Sequence, residues 1–183
     1  MSELIRTFIS VNLPENISDE LEGFISSRLK PLSKIRFVTR EQFHITLKFL
    51  GEISPEKIEL VKKSLSQIKF EPFEINLTKA GAFPNIKNPR VLWISGEKGV
   101  KELQELASNI DEKIFNIAGL PREEKKFKAH LTLARLKNPE LLNNDVLKAL
   151  EEISNLKMQW ECSEINLMKS VLTPQGAIYS KIF

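Results

Sequence analysis

Two segments of this chain share the pattern His-x-Thr-Leu, and each lies in a stretch where apolar and polar residues alternate. Residues Phe43–Leu50 read FHITLKFL, and residues Ala129–Leu136 read AHLTLARL. The chain has only two histidines and six threonines, so a threonine two residues after both histidines has a chance probability on the order of one in a thousand. Because alternation is typical of half-buried β-strands, the repeat predicts two similar strands in separate halves of the chain.

The spacing inside each copy predicts which side chains share a face of the strand. Side chains two residues apart point to the same side, so His44 lies with Thr46, and His130 lies with Thr132. The apolar face of the first strand is predicted to consist of Phe43, Ile45, Leu47 and Phe49. If two similar lobes set the strands against each other, two imidazoles and two hydroxyls surround a space that suits a phosphate group.

Histidine and threonine in this arrangement favour phosphodiester hydrolysis. An in-line reaction needs a base that takes a proton from water and an acid that protonates the leaving oxygen, and histidine serves either role near neutral pH. Threonine hydroxyls donate hydrogen bonds to the non-bridging oxygens and stabilise the charge that develops there. This chemistry requires no metal. We therefore predict that His44 and His130 are catalytic and that Thr46 and Thr132 bind the phosphate.

Arg135, five residues after His130, is a further candidate for a phosphate contact. Strict alternation places its side chain on the face opposite His130, where it braces the strand, whereas a β-bulge would let it reach the edge of the site. A zinc site is disfavoured, because two histidines without a cysteine or carboxylate at ligand spacing supply at most half of one. We predict no metal and no other cofactor.

The remaining periodicity mixes helices and strands without regular β-α-β alternation. Strands are predicted at Leu4–Val11, Ile35–Val38, Phe43–Leu50, Phe73–Thr78, Arg90–Ser95, Ala129–Leu136, Met158–Cys162, Glu164–Leu167 and Ala177–Phe183. Helices are predicted after an N-cap at Ser18, after Ser54-Pro55, from Val100 to a C-cap at Gly119, and over Asn144–Ile153. Residues 81–89 are predicted to form a turn-rich loop, and residues 173–176 a turn before the last strand.

These elements predict an α+β fold with largely antiparallel sheets. The 183 residues, 42% of them apolar, are enough for one compact core. No linker or low-complexity segment divides the sequence. We therefore predict that residues 1–183 form a single domain, made of two similar lobes.

Composition bears on the cellular setting. Lys plus Arg exceed Asp plus Glu by only 27 to 24, which does not indicate a strongly basic nucleic-acid coat protein. Cys162 is the single cysteine, so no internal disulfide forms, as suits a reducing compartment. The sequence shows neither a signal-peptide pattern nor an apolar run near 18 residues. We expect a cytoplasmic monomer that does not associate with membranes.

At the two motifs the sequence resembles the 2H phosphoesterase superfamily, which is named for paired His-x-Thr motifs. Within it, the chain resembles the RNA 2′,3′-cyclic phosphodiesterases, also called 2′-5′ RNA ligases. Three flanking segments extend the resemblance along nearly the whole chain: residues 6–14, Arg90–Trp93 and residues 170–179. The resemblance implies a bilobal 2H phosphoesterase fold, with two pseudo-symmetric lobes around a central cleft.

The resemblance also implies a reaction and a substrate. The expected reaction opens a 2′,3′-cyclic phosphate, at an RNA end or in a small cyclic nucleotide, to a 2′-phosphomonoester. By the same resemblance His44 is the proton donor and His130 the proton acceptor, an order that the residues alone do not give. Two alternatives stay open: 2′-5′ RNA ligation in the same site, in which an RNA hydroxyl replaces water, and a weakly catalytic module that binds RNA ends.

Overall fold

The computed structural model of this protein describes residues 3–174 and 176–183, and in them nine strands and four α-helices. The strands are β1 (Ile5–Asn12), β2 (His44–Ile53), β3 (Phe73–Asn76), β4 (Lys79–Phe83), β5 (Val91–Ser95), β6 (Leu131–Arg135), β7 (Gln159–Cys162), β8 (Asn166–Thr173) and β9 (Gly176–Lys181). The α-helices are α1 (Glu15–Phe24), α2 (Pro55–Ser66), α3 (Val100–Ala118) and α4 (Asn144–Glu151).

Seven strands form one antiparallel sheet in the order β4-β5-β6-β2-β1-β8-β9, and β3 pairs with β7 in a separate antiparallel sheet. The two motif strands, β2 and β6, are neighbours near the middle of the larger sheet and pair through Ile45 and Leu131. Mixed helices with antiparallel sheets confirm the predicted α+β class. The organisation of the chain as one domain of two similar lobes stays a prediction.

Two helices follow their sequence signals closely. Ser54 caps α2 by accepting a hydrogen bond from the Lys57 amide, and Pro55 takes the first helical position. α3 ends at Gly119, whose φ of 63° lies in the left-handed region that glycine tolerates best. Of the residues predicted to form the apolar stripe of α3, Leu103, Ala107, Ile110 and Ile114 are buried, and Val100 and Ile117 are half-buried. Leu106 and Ala118 are buried beside them. Within the described residues, no helix has the length and apolar character needed to cross a membrane.

The first helix begins earlier than predicted. α1 starts at Glu15, directly after Pro14, whereas Ser18, the predicted N-cap, lies inside the helix. The Ser18 amide donates a hydrogen bond to the Pro14 carbonyl at 2.9 Å, and the Ser18 residue is buried. Pro14, with its fixed φ near −60°, leads the chain from β1 into the helix without a side-chain cap.

The strand predicted at Ile35–Val38 is wrong, because the segment makes a single bridge, between Phe37 and Ala134. A 3₁₀ turn, Arg40–Gln42, follows at once and directs the chain into β2. β8 is longer than the predicted strand Glu164–Leu167 and continues to Thr173. The predicted turn after it includes Gln175, which lies outside the described residues.

The loop predicted at residues 81–89 begins inside strand β4. Gly81 lies in the middle of this strand and pairs with Trp93 of β5. A side chain at residue 81 would collide with the Trp93 indole, so this glycine makes room for an aromatic ring instead of forming a turn.

Candidate active site

The two histidines lie on either side of the point where the motif strands meet. Because Ile45 pairs with Leu131 in an antiparallel register, the residues that flank them lie opposite each other and project from the same face of the sheet. His44 therefore lies beside Thr132, and His130 lies beside Thr46. All four side chains are half-buried. The structure thus brings together the four residues that the repeat singles out.

His44 is held by its backbone and by aromatic neighbours. Its Nδ1 lies 2.7 Å from the Gln42 carbonyl oxygen, and its Nε2 lies 3.0 Å from the Thr46 hydroxyl. A carbonyl oxygen only accepts hydrogen bonds, so Nδ1 carries a proton and Nε2 is the nitrogen free to gain or lose one. The ring also packs 4.8 Å from the Phe8 ring and edge-on to the Tyr179 ring at 5.2 Å.

The Nδ1 atom of His130 is held in the same way in the second motif. This atom lies 2.6 Å from the carbonyl oxygen of Lys128, again two residues earlier in the chain. The Phe83 ring stands edge-on to the imidazole at 5.1 Å and itself packs 5.2 Å from the Trp93 ring. Both histidines therefore have a fixed orientation with Nε2 available for proton transfer.

The electrostatic environment lowers the pKa of both imidazoles. Burial lowers the pKa of His44 from 6.5 to about 4, and the positive charges of His130 and Arg135 add to this effect, while the bond to Gln42 opposes it. Burial also lowers the pKa of His130, with a further contribution from Arg135. Both shifts favour the neutral form of the imidazole.

Each motif strand carries a β-bulge at the same position. In β2 the residues on either side of Leu47 pair with consecutive residues of β1, and in β6 the residues on either side of Leu133 pair with consecutive residues of β5. The leucine of the shared His-x-Thr-Leu pattern is thus the extra residue in both copies. A bulge shifts the alternation of side chains by one position, so the two residues directly after each leucine change face. In β2 a second irregularity follows at Leu50.

The bulge corrects the prediction that Phe49 lies on the apolar face. The Phe49 side chain is 56% exposed and lies 6.1 Å from the Phe8 ring, whereas Lys48, which strict alternation would place on the face of His44 and Thr46, is buried at 3% exposure. Because Leu47 is the extra residue, Lys48 and Phe49 each lie on the face opposite to the one that strict alternation gives. Sequence reasoning missed both residues, since nothing in the alternating pattern marks a bulge.

Lys48 instead forms a buried ion pair. Its Nζ lies 2.6 Å from Asp111 Oδ1 on α3 and 2.9 Å from the Pro121 carbonyl oxygen. The same carboxylate oxygen accepts a hydrogen bond from the Glu123 amide at 3.0 Å. Lys48 therefore ties the first motif strand to α3 and to the segment that leads towards His130.

Arg135 follows the second bulge and is exposed. It occupies the position that Phe49 occupies in the first copy, five residues after the histidine. Of the two placements considered for Arg135, the bulge favours the one that reaches the site, and its charge lowers the pKa of both histidines. Its contact with a phosphate stays a prediction.

No group of three or more His, Cys, Asp or Glu side chains that would hold a metal ion occurs among residues 3–174 and 176–183. The histidine pair, with hydroxyls and one guanidinium nearby, is a donor set that suits an anion. These residues supply two titratable nitrogens and several hydrogen-bond donors around one space.

Comparison with known proteins identifies relatives over nearly the whole chain. The chain matches the family described as LigT like Phosphoesterase over residues 11–93 and 96–179. A protein of Archaeoglobus fulgidus named RNA 2′,3′-cyclic phosphodiesterase is 37% identical over 180 residues, which cover 97% of this chain and 98% of that protein. A protein of the same name from Methanocaldococcus jannaschii is 36% identical over 181 residues, with 97% and 98% covered.

Solved structures share the fold. The crystal structure of E. coli LigT in apo form superimposes with a TM-score of 0.76 at 22% identity and covers 100% of this chain and 96% of that chain. Both motifs lie within the residues that match the family. These findings confirm the resemblance to the 2H phosphoesterases and the prediction that the chain is a hydrolase. The chain belongs to the LigT like phosphoesterase family.

Proposed function

We propose that this protein hydrolyses the 2′,3′-cyclic phosphate of an RNA end or of a nucleoside to a 2′-phosphomonoester. We propose that it does so without a metal, with His44 and His130 as the acid/base pair. The relatives named RNA 2′,3′-cyclic phosphodiesterase support the substrate, because they match this chain from end to end. The matched pair of imidazoles supports the mechanism: each donates from Nδ1 to the carbonyl two residues earlier and keeps Nε2 for the reaction.

The proposed reaction moves one proton at each histidine. Neutral His130 takes a proton from water through Nε2 while the water oxygen attacks phosphorus. The bond between phosphorus and O3′ breaks, and protonated His44 gives its Nε2 proton to O3′. The phosphate remains on O2′, and exchange with solvent returns both rings to their starting state. The family resemblance supports this order of roles.

Hydrogen-bond donors around the phosphate would stabilise the transition state. Thr46 and Thr132 each offer a hydroxyl to the non-bridging oxygens, and the Arg135 guanidinium offers two parallel N–H groups and a positive charge. Charge on the phosphorane develops at these same oxygens. The donors therefore act more strongly on the transition state than on the bound substrate.

The exposed Phe49 ring supports an RNA or nucleoside substrate. A large exposed aromatic ring that borders a phosphate site suits stacking of a nucleobase, which is sequence-tolerant because every base has a π-face. We propose that Phe49 stacks on the base of the terminal nucleotide.

The test removes each imidazole in turn. In EDTA-containing buffer, His44→Ala and His130→Ala should each lower the turnover of a nucleoside 2′,3′-cyclic phosphate by about 10² to 10⁴-fold. Asn109→Ala, on the exposed surface of α3, is the matched control and should keep full activity. Full activity of either histidine variant, or complete loss of activity with EDTA, would contradict the proposal.

Product analysis separates the alternatives. An RNA with a 2′,3′-cyclic end should give a 2′-phosphate, whereas a joined 2′-5′ product in the presence of a 5′-hydroxyl RNA would favour ligation. Tight binding with no product would favour a binding module. Monomeric state and location in the cytoplasm stay predictions, and gel filtration tests the first.

A further inference from the structure

A cavity of about 180 Å³ lies beside His44, and no residue of the second motif lines it. It is enclosed by the end of β1, the start of α1, the 3₁₀ turn before β2, and strands β8 and β9. His44 and Tyr179 line it, whereas Thr46, His130 and Phe49 do not. The cavity is smaller than the ~300 to 1,000 Å³ typical of sites for drug-sized ligands, so it suits one ring system.

Part of the lining is apolar and includes aromatic rings. Leu13, Phe43 and Met168 line the cavity, and Phe43 and Met168 are buried. Tyr179 adds an aromatic ring that is already held edge-on against His44 at 5.2 Å. A planar heterocycle gains dispersion and apolar contacts from such walls.

Asn12 provides an amide with spare hydrogen-bonding capacity. Its Oδ1 accepts from the Ser10 hydroxyl at 2.9 Å, but its Nδ2 meets the Met168 sulfur at 3.8 Å. A thioether is a weak acceptor, so a carbonyl or ring nitrogen of a ligand is a better partner for this N–H. Asn12 is also the residue that pairs with His44 across β1 and β2, which places the amide next to the site.

The rim of the cavity carries two carboxylates, which accept hydrogen bonds, and an arginine that is already in an ion pair. Glu15 and Glu41 line it together with Arg40, and Arg40 is already paired with Asp19 at 2.5 Å. The two carboxylates would repel a phosphate but accept hydrogen bonds from amino groups. Adenine, cytosine and guanine carry an exocyclic amino group, whereas uracil does not.

We infer that this cavity binds the base of the nucleotide that precedes the cyclic end of an RNA, and that it prefers adenine, cytosine or guanine over uracil. The inference rests on the proposed function. Phe49 lies five residues along β2 from His44 and serves the terminal base, so the cavity on the other side of His44 is left for the next nucleotide. The protein then binds two nucleotides of the RNA, one on each side of the His44 imidazole.

The experiment compares substrates that differ by this one nucleotide. Kinetics of adenosine 2′,3′-cyclic phosphate are measured beside four dinucleotides, XpA with a 2′,3′-cyclic end, in which X is each base. For the wild-type protein, kcat/KM should be about fivefold lower with uracil as X than with the other bases. Asn12→Ala should lower kcat/KM for the amino-bearing dinucleotides about fivefold and leave the mononucleotide unchanged within twofold.

Two further variants separate base recognition from folding. Glu15→Gln with Glu41→Gln removes both rim charges at constant shape and should reduce the discrimination against uracil. Leu13→Trp fills the cavity and should raise KM for dinucleotides alone, and Asn109→Ala again serves as the matched surface control. The mononucleotide is measured with every variant. A folding defect would therefore lower the activity on the mononucleotide as well as on the dinucleotides.

The outcomes distinguish this inference from the proposed function. No turnover of any substrate by the wild-type protein would remove the proposed function, and calorimetry with the 2′-phosphorylated dinucleotides then compares base binding directly. Turnover or binding that is independent of X, or an Asn12→Ala effect equal on mononucleotide and dinucleotides, overturns the cavity as a base site.

Discussion

The lowered pKa values of the two histidines predict that kcat/KM and kcat depend differently on pH. The proposed mechanism uses protonated His44 and neutral His130, but in the empty site His44 has a pKa of about 4, and the pKa of His130 also lies below 6.5. Near pH 7 both rings of the free enzyme are therefore neutral. The singly protonated form becomes rarer by tenfold for each further pH unit.

The pH dependence of kcat/KM reports the pKa values of the acid and the base in the free enzyme. The value of kcat/KM should be highest below pH 6.5 and should fall about hundredfold between pH 7 and pH 9, since one proton must be taken up before reaction. The observed values belong to the pair of rings and not to either ring alone.

The pH dependence of kcat reports the pKa values in the enzyme with substrate bound. In the proposed complex an anion lies between the two rings. One negative charge at ~4 Å and an effective dielectric constant of ~20 stabilises a cation by about 4 kcal/mol, which corresponds to roughly three pK units. Such a rise brings the pKa of His44 back towards the range of neutral pH. The basic limb of the kcat profile should therefore lie at least one pH unit above that of kcat/KM.

The assay follows hydrolysis of a nucleoside 2′,3′-cyclic phosphate from pH 4 to 9 at constant ionic strength with EDTA. The substrate keeps a single negative charge over this range, so only the protein titrates. Circular dichroism at each pH shows whether the acid limb reflects unfolding. A kcat/KM that stays constant between pH 7 and 9, or two profiles that coincide, would refute the reasoning.

Two further predictions concern residues whose positions depend on the bulges. Arg135→Met should lower kcat about 10²-fold in the same hydrolysis assay, with partial recovery in Arg135→Lys, because a charge near the phosphate is lost and then restored; unchanged kcat would mean that Arg135 only braces the strand. Lys48→Met should lower the free energy of unfolding in urea by about 3 kcal/mol, because it leaves the Asp111 carboxylate without its buried cation. Adding Asp111→Leu should recover part of this loss, and a change below about 1 kcal/mol would contradict the role of the pair.

The local sequence pattern predicts a helix or strand correctly where the residues of that element determine its structure. The alternation in residues 43–50 predicts β2, and the spacing of apolar residues from Val100 to Gly119 predicts α3 with its C-terminal glycine. In both cases the signal lies within one continuous segment, and its physical basis is the period of the element itself. The same reasoning places His44 with Thr46 and His130 with Thr132, because the period of two holds from each histidine to its threonine.

Several of the errors occur where a distant segment determines the structure. Gly81 reads as a turn residue, but the indole that occupies the space beside it comes from Trp93, twelve residues later. The bulges at Leu47 and Leu133 depend on how β1 and β5 pair with the motif strands, and leucine is common in strands with or without a bulge. The burial of Lys48 follows from the bulge and from Asp111 on α3, neither of which local alternation contains.

Under the proposed mechanism, the shared leucine bears on how two near-identical motifs can serve one asymmetric reaction. Up to the leucine the copies supply equivalent groups, a histidine and a threonine each, as an acid and a base on opposite sides of one phosphorus atom require. After the bulge the copies differ, because Phe49 stands where the second copy has Arg135, and both side chains are exposed. A cyclic phosphate is charged on one side and joined to a nucleoside on the other. We infer that the repeated part of the fold sets the proton transfers, and that the residue after each bulge sets which half binds the base and which binds the phosphate.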